Sequence, residues 1–199
     1  MLSRSFLLAV LALVLLGLGA CGGGEETSPP EQPGQTASAG AVPFDRLFID
    51  AMVQHHESAI KMAEEAQNAG LQEPELRTIA GNIVVTQQQE IDQMLAWREE
   101  WFASREVDAN AGEDLGMSPD AMGMTHAAGD FAASEDVDGA FASAMIAHHE
   151  GAIAMAAMAL ERGQHPEIHE LAQKIIDAQQ QEIDRMKPHA GAAMPGMEH

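Results

Sequence analysis

The chain has 199 residues, of which 31 are acidic and 10 basic, giving a formal net charge of −21, with 46% hydrophobic residues and a single cysteine. That length holds one ordinary domain plus tails. The charge excludes a nucleic-acid partner and argues against adhesion of the domain itself to anionic lipid, and one thiol leaves no internal disulfide.

Residues 1–20 read as a lipoprotein signal peptide. Arg4 supplies the positive start, and the apolar run over residues 6–18 is shorter than the roughly 20 residues a standard spanning helix needs. The sequence Leu18-Gly19-Ala20-Cys21 resembles a bacterial lipobox. That resemblance implies cleavage before Cys21, a diacylglycerol thioether on its sulfur, and an extracytoplasmic protein held to a membrane, periplasmic or at the cell surface. Such a lipid-bearing sulfur is lost to metal binding and nucleophilic chemistry. Residues 21–43, rich in Gly, Pro, Ser and Gln without apolar periodicity, predict a flexible tether.

From Phe44 the pattern becomes helical. Phe48, Met52, His55/His56, Ala59, Met62/Ala63 and Ala66 recur at steps of three and four, with Gly70 as a left-handed cap. Pro74 opens a second helix carrying Leu76, Ile79, Ile83, Gln87, Glu90/Ile91 and Met94 on one stripe. Residues 137–163 then repeat 44–70, matching Asp45 to Asp138, Phe48 to Phe141, Met52 to Met145, His55/His56 to His148/His149, and Met62 to Met155. In the second helices Gln87, Glu90 and Met94 match Gln179, Glu182 and Met186. Duplicated hairpins with one apolar face each predict an all-α, ferritin-like four-helix bundle over 44–189, with hairpins 44–102 and 135–189 and a Met/His tail at 190–199. Ser134 is the expected N-cap of the third helix, and Pro188 closes the fourth. The linker, residues 103–134, is long enough to run the length of the bundle, which favours a crossover topology over up-down-up-down.

Polar residues interrupt the stripes at matching heights. Folding the first hairpin about Leu71/Gln72 sets His55 and His56 opposite Gln88 and Gln87, near Glu90. The second hairpin places His148 and His149 near Gln179, within a turn of Glu182. Buried imidazoles and carboxylates need partners or a metal. Either they form a polar network that fixes register, or they build a metal centre from inward residues on facing helices, and the doubled His-His pairs favour metal. A crossover would bring both pairs together at the waist. Met52, Met145, Met62 and Met155 share those faces, and thioether with imidazole is a soft set suited to Cu(I). Met122, Met124 and His126 form a second, auxiliary copper candidate in the linker. Glu90, Glu182, Gln87 and Gln179 are expected to orient or bridge. The alternatives are a dimetal redox enzyme of ferritin-like build and a metal-free interaction module. The first would require a Glu on two helices and Glu-x-x-His on the other two, a pattern missing at these positions.

The motif D-x-x-F-x-x-x-M-x-x-H-H-x-x-A-x-x-M, present twice and followed each time by Q-Q-Q-E-I-D-x-M, resembles the "domain of unknown function 305" family over about residues 44–189. The resemblance implies a secreted four-helix protein and, as for some members, an association with copper. The motif positions carry over as Met52, His55, His56 and Met62, and as Met145, His148, His149 and Met155. The resulting expectation is a metal-binding lipoprotein that sequesters or hands over copper.

Overall fold

A computed structural model describes residues 42–125 and 131–191. Cys21, His126 and the tail from residue 192 lie outside the described residues. Four long helices carry the fold: α1 (Phe44–Ala69), α2 (Pro74–Phe102), α4 (Val137–Arg162) and α5 (Pro166–Met186), with a single-turn α3 (Ala111–Asp114) between α2 and α4. Among the described residues there is no strand, and no helix is long and apolar enough to cross a membrane.

The helix ends follow from local chemistry. Gly70 adopts φ +100°, which lets its N–H reach Ala66 O and Gln67 O and stops α1. Pro74 and Pro166 occupy the first turn of α2 and α5, where a missing N–H costs nothing. Asp136, not Ser134, caps α4: its side chain accepts from Gly139 N at 2.9 Å. Ser134 stands too far upstream, its hydroxyl bonded to the backbone of Asp136, and a carboxylate also complements the positive helix end. Pro188 sits within a 3-10 turn, Lys187–His189, that tightens the end of α5.

Two aspartates set the topology. Asp45, at the start of α1, accepts from Gln164 N and His165 N, both at 2.9 Å, in the turn between α4 and α5. Asp138, at the start of α4, accepts from Gln72 N at 2.9 Å and Glu73 N at 3.1 Å, in the turn between α1 and α2. Each hairpin therefore caps the other's turn, and α1 runs antiparallel to α4. The order is up-down-down-up, so the chain after α2 must travel the length of the bundle, and the expected crossover is present.

α1 packs against α4, and both bury small residues such as Ala59, Ala63, Ala152 and Ala156, whereas α2 and α5 scarcely touch. The core falls into two apolar clusters. One, at the end where α1 begins, contains Phe48, Met52, Ile91, Met94, Met155 and Ile175. The other, at the opposite end, contains Met62, Ile79, Ile83, Phe141, Met145 and Met186. Between them lies a polar layer.

At the lower end, Arg98 is buried and forks onto Asp50, with Nε to Oδ1 at 2.7 Å and Nη2 to Oδ2 at 3.3 Å. The same guanidinium donates to Ser104 O and Glu106 O, tying the first residues of the crossover to the bundle.

Candidate metal centre

The polar layer is built from α1 and α4. His55, His56, His148 and His149 are all fully buried, and the rings of His55 and His148 meet with centroids 3.7 Å apart. The two hairpins thus bring their first histidines face to face at the waist.

Hydrogen bonds fix three of the four tautomers. His56 Nε2 lies 2.8 Å from Glu90 Oε2, and His149 Nε2 lies 2.8 Å from Glu182 Oε2. His55 Nε2 lies 2.9 Å from the carbonyl oxygen of Met122, in the crossover. These oxygens accept, so each Nε2 donates its N–H and each Nδ1 is left as a bare lone pair. None of those three Nδ1 atoms has a partner, and neither ring nitrogen of His148 has one. Five buried imidazole nitrogens are therefore unpaired in one layer, together with Oε1 of Gln87 and of Gln179.

A buried polar atom without a partner costs about 1–3 kcal/mol, and native interiors hold few of them. Carboxylate or carbonyl on one nitrogen and a free lone pair on the other is how proteins orient metal-ligating imidazoles. At the His55–His148 contact the electrostatics favour neutral rings. Burial above all, and then the neighbouring His56, lowers the pKa of His55 to about 3. Burial, and then His55, holds His148 well below its ordinary value.

The pairing bears out the hairpin estimate, which set the glutamates within a turn of the histidines in both copies. His56 pairs with Glu90 and His149 with Glu182, while Gln87 and Gln179 stand level with the imidazoles. Helical side chains lean toward their own N-terminus, so on antiparallel helices a histidine leaning one way meets a glutamate leaning back from the next turn.

The methionines divide. Met52 and Met145 lie one turn from His55 and His148, buried on opposite sides of the histidine layer, one in each apolar cluster. Met62 and Met155 lie seven residues beyond, about 10 Å along the helix axis, also buried in those clusters. The structure does not bring this second pair to the imidazoles. Met122 and Met124 line a separate cavity beside the layer. Among the described residues no three His, Cys, Asp or Glu side chains are spaced to hold an ion by themselves. Ligands beyond the imidazoles would have to be thioethers or amide oxygens, both of which lie within a turn.

The Asp50–Arg98 pair and the Met122 carbonyl escaped the sequence reading. A signal existed for the first: Asp50 and Arg98 correspond to Ser143 and Ala190 in the second copy, so both members of the pair differ between the repeats. A backbone carbonyl contributed by a crossover leaves no such trace.

The family model for the domain of unknown function 305 matches residues 22–98 and 45–190. No curated protein matches the chain significantly. Among solved structures, CopM in its Cu(I)-bound form is 33% identical, with a TM-score of 0.59 over 72% of this chain and 93% of that one. CopM in its Cu(II)-bound form gives 34% and 0.61 over the same shares, and Ag-bound forms match similarly. A protein of this family from Streptomyces coelicolor, described as secreted, shares the fold at 21% identity, with a TM-score of 0.65 over 75% of this chain and 98% of that one.

Proposed function

The chain belongs to the domain of unknown function 305 family, and on that premise we propose that it is an extracytoplasmic copper-binding lipoprotein that holds Cu(I) at the waist of its bundle. The observation that carries this reading is the layer of unpaired imidazole nitrogens, three of them on rings oriented through their other nitrogen. The ligands would be drawn from His55, His56, His148 and His149, no three of which are spaced to hold an ion by themselves, completed by the thioethers of Met52 and Met145 one turn away. Glu90, Glu182 and the Met122 carbonyl fix the rings. Gln87 and Gln179 lend amide oxygens. Imidazole with thioether is a soft set that favours Cu(I) over Zn or Mg. CopM, found with Cu(I), Cu(II) and Ag, supports copper as the metal.

The ligand balance argues against a ferritin-like dimetal oxidase. Such centres draw a carboxylate from each of four helices. Here the layer offers Glu90 and Glu182, each already accepting an imidazole N–H. A network serving register alone would pair its own nitrogens, and this one leaves five without a partner. Membrane attachment through lipid on Cys21, and a role in sequestering or handing over copper, complete the proposal.

An anaerobic Cu(I) competition titration tests it. Affinity should collapse when His55/His56 or His148/His149 are changed to Ala. Full affinity in a protein lacking all four histidines would move the site to the Met-rich segments. Absence of binding in the unaltered protein would favour the register network.

A further inference from the structure

The waist histidines are sealed from solvent, and the segment that seals one side of them has features of its own. After α3 the crossover runs over the outer face of α1 and α4 at the level of the imidazoles. At Gly123 and Gly151 the two backbones touch: a Cβ on Gly151 would collide with the Met122 carbonyl, and one on Gly123 with the Ala147 carbonyl. Gly123 also has φ +67°, and Gly116, at the near end of the segment, has φ +85°. The repeat-mates of Ala147 and Gly151 are Gln54 and Ser58, so α4 alone carries the small residues this approach needs. Apart from that backbone contact, the hydrogen bond from His55 Nε2 to Met122 O ties the segment to the layer.

Beside this crossing lies a cavity of about 160 Å³, lined by Gln54, Gly112, Glu113, Met122 and Met124 among others. Met122 thus belongs to both places. Its carbonyl is bonded to a buried imidazole, and its thioether lies against Gly112, where a Cβ would stand 2.8 Å from the sulfur.

Resting on the copper reading above, we propose that this cavity is the loading site for a soft monovalent ion. The Met122 and Met124 thioethers take the ion first, with Glu113 supplying negative charge beside them. Lifting of the segment from α4 then breaks the Met122–His55 bond, and the ion exchanges its thioether ligands for the bare imidazole nitrogens. The thioethers hold the ion only in transit. The resting site therefore keeps its affinity without them.

Stopped-flow mixing of the metal-free protein with chelator-buffered Cu(I), alongside equilibrium titration, tests the proposal. Changing Met122 and Met124 together to Leu, which keeps their volume, should slow loading about tenfold while leaving equilibrium affinity within about twofold. Gly151→Ala, which props the segment away from α4, should speed both loading and release. Unchanged loading rates in the Met122→Leu/Met124→Leu protein would overturn the proposal. So would a loss of equilibrium affinity as large as that of His148→Ala, because the thioethers would then be permanent ligands. If the unaltered protein took up no Cu(I), the copper reading would fall and this one with it. Tight binding with unaltered kinetics would remove the loading site alone.

Discussion

Lowering the pH of the metal-free protein should weaken its folding well above the range in which its carboxylates titrate. His55 and His148 are buried and neutral, the first with its pKa lowered to about 3 and the second well below 6.5. In the unfolded chain both would titrate near 6.5. The unfolded state therefore binds protons that the native state refuses, so stability is complete above 6.5 and falls as pH drops toward the folded values. Between about pH 7 and about pH 5 the His55 ring alone removes about 2 kcal/mol, and His148 adds a loss of the same sign. That is a large share of the roughly 5–15 kcal/mol that holds a typical domain. Glu75 and Asp184, whose carboxyls are held low by Arg185 and Lys187, act only below their ordinary values of 4.5 and 3.8, so they stay out of this window. Urea unfolding followed by circular dichroism at the two pH values measures the loss. A His55→Leu/His148→Leu protein should show almost none of it. An unaltered protein equally stable at both pH values would show that the rings protonate in place and that the layer is not sealed.

Changing His148 alone to Leu should stabilise the metal-free protein by about 1 kcal/mol, since it removes a buried ring with two unpaired nitrogens; a large loss in the same urea assay would show that His148 has partners in solution. Asp50→Ala should cost about 3–5 kcal/mol by leaving the Arg98 guanidinium buried without its anion. Mild proteolysis of that variant should cut first near Ser104 and Glu106, whose carbonyls Arg98 holds.

Much of this architecture could be read from the chain because it is written twice. The repeated apolar stripes gave four helices. Gly70, Pro74 and Pro166 marked their ends, and equal heights of His and Glu in both copies located the polar layer. What escaped the reading lies where the copies differ or where the backbone acts. The pairing of Asp50 with Arg98 depends on a loop that only the first hairpin possesses. The Met122 carbonyl is independent of side-chain identity, and only Gly123 and Gly151 hint that something passes close by. Met62 and Met155 looked equivalent to Met52 and Met145 because periodicity reports the face of a helix and not the distance along it.

The exchange of caps between Asp45 and Asp138 bears on where such a molecule comes from. Neither hairpin satisfies its own turn: the amides of Gln72 and Glu73 wait for a carboxylate from the other copy, as do those of Gln164 and His165. One hairpin alone would expose both an apolar face and two bare turn amides, and a second identical hairpin related by a two-fold axis would cover them. The fold is in this sense a homodimer fused into a single chain. The histidine layer is then a subunit interface, and the crossover is the one part that a symmetric ancestor would have had no use for. The two halves are not identical, however: the Gly151 and Ala147 that let the crossover lie on α4 have Ser58 and Gln54 as their counterparts on α1.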